Sequence, residues 1–268
     1  MKKLLSVICI AASAVAAFGT AQLPESINDC GHEKNMASRL LELDSVSFSR
    51  LKERISDKMV STDLWRGYIG HWEIKNDSLF LDSILVSDNA SDTRRFMPAA
   101  IDDIYASHRT PSGYFADWVS DTIRVVSGNI VRDRHMGWSS DWETEEMIAI
   151  EGGLIKGRII YNNRIINQVD ENEARMTIDS LDFGNIPQRM LLQIGYQEFD
   201  KTGTPTVCKV DIVRGSGDTA VDNRVARALD DVSVMRKLVP IYYIRGQYKS
   251  DNCNLVIPKK TYAEEAAK

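Results

Sequence analysis

Histidines and carboxylates are where chemistry would have to begin in this chain. The four histidines are His32, His71, His108 and His135. No two of them have the four-residue helical spacing of a zinc protease, and no cysteine pair has zinc-finger spacing. His71 and Glu73 alternate along a strand-like run and so share a face. His135 precedes Asp141, Glu143 and Glu145 across a Gly-Trp turn, which would assemble a carboxylate-rich hydrolytic site. Charges on an exposed strand face are the commoner outcome of such spacing. Serine nucleophiles fare no better. Gly137-Trp138-Ser139-Ser140-Asp141 lacks the closing glycine of a hydrolase elbow, and Gly215-Ser216-Gly217-Asp218 lacks its spacing. Adjacent carboxylates such as Asp102-Asp103 and Glu145-Glu146 point to opposite faces of a strand. No phosphate loop is present. The expectation is a chain with no catalytic residue, metal or cofactor, a hydrolase near His135, Asp141 and Glu143 being the least favoured reading.

Hydroxyls form a second pattern. Asp-Ser/Thr-apolar occurs six times, placing Ser45, Ser78, Ser83, Thr122, Ser180 and Thr219 behind an aspartate. This resembles the O-glycosylation sequon that some Gram-negative gut bacteria use on exported proteins. Strand starts after turns also favour Asp followed by Ser or Thr, and the two readings stand level.

Composition narrows the class. Met1-Lys2-Lys3, an apolar run to Phe18 and Gly19-Thr20-Ala21 read as a secretory signal peptide over 1–21, with cleavage after Ala21. The chain is therefore expected to be exported, to the periplasm first and alternatively to the cell surface or medium. No later run has the ~20 apolar residues of a membrane span. A formal charge of −5 with no basic cluster argues against nucleic acid. A hydrophobic content of 43% with five Trp supports a packed core.

The elements follow from periodicity. Residues 22–35 are polar and aperiodic and read as a flexible leader. Phe48, Leu51, Ile55 and Met59 mark one face of a helix capped by Ser45 or Ser47. From Trp65 to Tyr161 short strands alternate with turns at Lys75-Asn76-Asp77, Ser127-Gly128-Asn129 and Glu151-Gly152-Gly153. A long loop over 87–113 with a short helix near Ala99–Ala106 interrupts them. This predicts an antiparallel sandwich or partly closed barrel over 36–165. Gly70-x-Trp72 is similar to the opening strand of lipocalin-like barrels. Trp72 is read as a core aromatic, the alternative being a small-ligand carrier that uses the interior. Residues 162–188 are polar and hold the boundary, with MTIDSLDF (176–183) as a further strand.

Residues 189–258 read as strand, turn, strand, helix, connector, strand. The runs are RMLLQIGYQEF (189–199), TVCKVDIVR (206–214), DNRVARALDDV (222–232) and NLVIP (254–258). With Gly203, VDIVRGSG (210–217), Ala226, Leu229, Pro240, Gly246 and Ile257-Pro258, this segment resembles the C-terminal domain of TonB. The resemblance implies a small ββαβ domain over 175–260. It further implies that the last strand, Asn254-Leu255-Val256-Ile257, accepts a partner strand, with Arg236 and Lys237 in a basic connector. Cys208 and Cys253 fall in two strands of that unit and are the preferred disulfide, leaving Cys30 free, the alternatives being another pairing or cysteines that stay reduced. Family members that transmit force carry an uncleaved anchor and a Pro-rich spacer, which this sequence does not suggest.

The expected class is thus α+β: a helix-prefaced, mainly antiparallel β domain, a TonB-like domain, and a solvated tail over 261–268. The expected function is non-enzymatic recognition of a protein or peptide partner in the cell envelope by strand addition.

Overall fold

The computed structural model describes residues 22–55, 63–64, 66–87, 96–98, 100–134 and 137–260. The expected signal segment (1–21), Met59, Ala99, His135 and the tail 261–268 lie outside the described residues. Those described divide into two compact units between Asn163 and Arg164. Of them 48% lie in strands and 19% in helices, and the first unit closes a seven-stranded barrel. The α+β expectation gives way to a mainly β chain.

The first unit contains β1 (Glu25–Asp29), β2 (His32–Met36), α1 (Ser45–Lys52), β3 (Tyr68–Lys75) and β4 (Ser78–Ser87). It continues through β5 (Phe96–Pro98), β6 (Arg109–Thr110), β7 (Gly113–Phe115), β8 (Asp121–Arg132), β9 (Asp141–Glu151) and β10 (Leu154–Asn162). The barrel order is β10-β9-β8-β2-β1-β3-β4, and Leu154 of β10 pairs with Ser78 of β4 to close it. β5 and β7 take β4 further along, and β6 pairs β7.

Residues 22–35 are therefore not a leader. β1 and β2 join β3 to β8, β1 running parallel to β3, and without them the barrel has no closed path. The signal was short. Glu25, Ile27 and Asp29 alternate inward, and Cys30-Gly31 supplies two left-handed residues, φ 53° and 81°, for a tight hairpin.

β3 shows why the barrel holds. Tyr68, Gly70, Trp72 and Ile74 are buried while their neighbours are half-exposed, the period of two that a one-sided sheet demands. They meet Ile27, Met36, Leu79, Leu81, Ile123, Val125, Ile148 and Ile150 in a single apolar cluster.

Three local expectations change. Ser127-Gly128-Asn129 is a bulge inside β8, where the pairing with β9 slips. Gly128 has φ +81°, and the Glu143 carboxylate accepts bonds from the Asn129 backbone and side-chain N–H. Helix α1 is capped by Asp44, which accepts from Val46 N and Ser47 N, rather than by Ser45 or Ser47. The loop before β6 contains a 3-10 turn at Ala106–His108, its buried anchors being Ile101, Ile104 and Tyr105.

The second unit contains β11 (Arg164–Asn167), α2 (Glu171–Ser180), β12 (Met190–Phe199), β13 (Pro205–Arg214), α3 (Thr219–Leu229) and α4 (Val232–Met235). β14 (Ile241–Ile244), β15 (Gln247–Ser250) and β16 (Cys253–Ile257) complete it. It has two three-stranded sheets, β13-β12-β16 and β11-β14-β15. Residues 176–183 do not form the expected strand. Their first half ends α2, capped by Asp170, because Ala174 and Ile178 recur four apart and bury together. The expected connector between the helix and the last strand contains the β14–β15 hairpin, turned by Arg245 and Gly246 at φ 49° and 80°.

Val221, Val225 and Leu229 form the buried stripe of α3. They share an apolar cluster with Met190, Leu192, Ile194, Leu255 and Ile257. Each such side chain contributes about 1.5–3 kcal/mol when fully buried. Asp218 caps α3 by accepting from Ala220 N and Val221 N.

Candidate functional site

β16 is an edge strand. It pairs antiparallel with β12 from Met190/Ile257 to Ile194/Cys253. Among the described residues no strand takes its other side. Beyond it, Lys260 exchanges backbone hydrogen bonds with Ile186, at 2.7 and 3.0 Å. Lys260 is thus held on the side that leads into β12. Along β16, Leu255 and Ile257 are buried against the helices, Val256 is half-buried and Asn254 is exposed. An unpaired ladder with alternating side chains is what strand addition requires.

Arg236 and Lys237 do not join this edge. They follow α4, which packs against β13, the strand at the opposite side of the sheet. They line a cleft with Asp170, Glu173 and Asp231, and Lys237 Nζ lies 3.6 Å from the Glu173 carboxylate.

The expected disulfide is absent: Cys30, Cys208 and Cys253 are all free thiols. Cys208 pairs in register with Tyr196 and Cys253 with Ile194. The two cysteines therefore flank β12 from opposite sides. Two strand spacings come to roughly 9–10 Å, beyond the ~7 Å that a disulfide spans between α-carbons. Burial pushes the Cys253 thiol up to about 11 and raises that of Cys208. Cys30 is exposed at the β1–β2 turn.

No protein-family model, no curated protein and no solved structure matches this chain.

The barrel carries two polar clusters beside its apolar core. In one of them Glu25 is fully buried, and its Oε2 accepts the Trp72 indole N–H at 2.6 Å. Arg66 Nη1 stands 4.0 Å from Glu25 Oε1, which has no hydrogen-bond partner among the described residues. Arg66 is held by the carbonyls of Tyr68 and Leu23, each at 2.8 Å, and the Tyr68 hydroxyl donates to Glu42 at 2.9 Å. Burial raises the Glu25 carboxyl to about 7, the Arg66 charge opposing the shift. Gly70 exists for this contact. A β-carbon there would lie 2.8 Å from both Glu25 Oε2 and Trp72 Nε1. The Gly70-x-Trp72 spacing thus serves a buried hydrogen bond.

Elsewhere in the barrel Asp29, Lys34, Glu146 and Arg158 form an alternating charge network. Lys34 Nζ reaches Glu146 at 3.0 Å and Asp29 at 3.5 Å, and Arg158 Nη1 reaches Glu146 at 3.0 Å and also binds Asp29. Asp29 on β1 and Arg158 on β10 belong to strands that are not neighbours, so this pair joins opposite parts of the wall. Its hydrogen bonds to Arg158 hold the Asp29 carboxyl below its usual range. Glu25, Asp29 and Lys34 all lie in the segment read as a leader.

Of the hydrolytic candidates, the described Asp141, Glu145 and Glu143 each have a different partner. Asp141 is buried and binds Arg134 at 3.2 Å. Glu145 is buried against Arg124, at 2.6 Å. The Glu143 carboxyl is held low by its bonds to Asn129. His71 Nδ1 lies 2.7 Å from Ser26 Oγ on the barrel wall. Among the described residues no three His, Cys, Asp or Glu side chains are grouped to hold a metal ion.

Of the six hydroxyls behind aspartates, Ser45, Thr122, Ser180 and Thr219 are exposed, while Ser78 and Ser83 are half-buried. Five of the six aspartates have structural work. Asp44 and Asp218 cap helices, Asp77 takes the left-handed β3–β4 turn at φ 55°, and Asp121 accepts from Thr122 N at 2.7 Å. Asp82 occupies the β4 bulge opposite His71 and Trp72.

Proposed function

We propose that this chain is an exported, non-enzymatic binding protein that recognises a protein or peptide partner in the cell envelope by strand addition at β16. The observation that carries the reading is that, among the described residues, β16 has β12 as its sole strand partner. The resemblance of 189–258 to the TonB C-terminal domain supports the same strand as the accepting one. Packing supports it too: Leu255 and Ile257 anchor the strand to the helices, so a partner would meet a backbone already ordered, which lowers the cost of binding.

The test is affinity capture from envelope extract with wild type, Val256→Pro and Val213→Pro, the last lying in the other edge strand. Proline removes a ladder donor and blocks pairing. Specific partners are expected to vanish with Val256→Pro and persist with Val213→Pro. Unchanged capture by a Val256→Pro protein whose circular dichroism matches wild type would sink the proposal. Export is checked by N-terminal sequencing of the secreted form, which is expected to begin at Gln22.

A further inference from the structure

A second surface of the C-terminal unit has a chemistry that strand addition does not use. The turn after β12 and the β14–β15 hairpin enclose an open cleft of about 540 Å³, within the size range of small-ligand sites. Three aromatic rings line it. Phe199 and Tyr248 have centroids 6.3 Å apart and planes inclined by 32°, and Tyr243 lies 4.9 Å from Tyr248. All three are half-buried.

Each tyrosine is backed by the protein. The Arg164 guanidinium sits 4.6 Å from the Tyr243 ring centre. Tyr248 lies against Gly203, where a β-carbon would run into the ring. The walls are also fixed by the chain's own hydrogen bonds. Asp200 Oδ1 accepts from Thr202 N, Thr202 Oγ1 and Thr204 N at 2.7–2.9 Å, and these bonds keep its carboxyl ionised below the usual range. The facing turn is the left-handed Arg245-Gly246 pair.

The rim is polar. Gln197 and Gln247 are exposed along the cleft, as are Asp200 and Lys201. An amide both donates and accepts, which matches a hydroxyl, itself donor and acceptor. The carboxylate and the ammonium cancel, so the cleft selects no net charge. Phe199 and Tyr248 are only mildly inclined and form a platform, not the box of rings that encloses a quaternary ammonium. A flat ligand with polarised C–H groups on its faces and hydroxyls around its edge uses every one of these features. We propose that this cleft binds a neutral saccharide, one sugar ring resting on Phe199 and Tyr248 and its hydroxyls bonding Gln197, Gln247 and Asp200.

The proposal is tested by titrating the isotope-labelled protein with maltohexaose, xylohexaose, mannohexaose and N-acetylchitohexaose, following backbone amide shifts. At least one is expected to give saturable shifts confined to 197–203 and 243–248. Phe199→Ala is expected to weaken that binding about tenfold, one stacking contact's worth. Gln247→Ala, an exposed change that leaves the core intact, is expected to weaken it as well. Absence of shifts with all four sugars overturns the proposal. So do shifts that both variants leave unchanged, or a cleft that responds to a proline-rich peptide and to none of the sugars.

Discussion

Glu25 is a fully buried carboxyl, and burial makes its charge costly. Its carboxyl sits at about 7 in the folded chain against an ordinary value of 4.5, because burial disfavours the ionised form. A raised carboxyl contributes its full stability below the unfolded value and loses it as pH climbs through the folded one. Wild type is therefore expected to lose ~3 kcal/mol from this group between pH 4.5 and 7. Glu25→Gln, which keeps an acceptor for Trp72, is expected to abolish that slope and to be the more stable protein above pH 7. Urea denaturation of both proteins across this range decides it; parallel curves would refute the assignment. Asp29 acts in the opposite sense. Its lowered carboxyl supports the fold above the usual carboxylate range and ceases to as pH falls through its folded value. Gly70→Ala is expected to cost ~1–3 kcal/mol by forcing the Glu25–Trp72 contact apart, read as a lower denaturation midpoint. The pattern Gly70-x-Trp72 was visible in the sequence, but its partner Glu25 was not, since that carboxylate sits 47 residues from Trp72.

At the scale of elements, alternation and turn chemistry were legible and pairing partners were not. Asn76-Asp77 and Gly152-Gly153 announced two hairpins, and the structure has both, with all four residues at positive φ. Cys30-Gly31 and Arg245-Gly246 make equivalent turns but hide behind first residues that are poor left-handed formers. Cys30→Asn, a better residue for that turn, is accordingly expected to raise stability by about 0.5 kcal/mol. The free thiols follow from strand order. Alkylation of the folded protein at pH 8 is expected to modify exposed Cys30 quickly. Cys208 and Cys253 should react only on unfolding, with no mass loss from a disulfide. A Cys208–Cys253 crosslink found by peptide mapping would contradict the placement of β12 between them. Helix capping behaves similarly. Asp44→Ala is expected to cost about 1 kcal/mol, whereas Ser45→Ala, at an exposed residue, leaves the melting temperature unchanged.

For the molecule as a whole, each unit owns its core. The barrel cluster around Trp72 draws only on residues up to Ile155, and the cluster around Leu192 begins at Val169. Residues 22–163 expressed alone are expected to unfold cooperatively in urea, whereas a fragment beginning at residue 37 lacks β1 and β2 and should not. A two-state transition in the shorter fragment would show that barrel closure is dispensable. The sequence by itself determined the strand-rich character of 65–161, the hairpin after β12 and helix α3, because each rests on spacing within a dozen residues. Only the tertiary structure decided that the polar residues after position 21 belong to the barrel wall, that β12 separates the two cysteines, and that Phe199, Tyr243 and Tyr248 line one cleft. Backbone pairing between distant strands is set by which buried faces match once the chain has closed on itself, and no local periodicity records that choice.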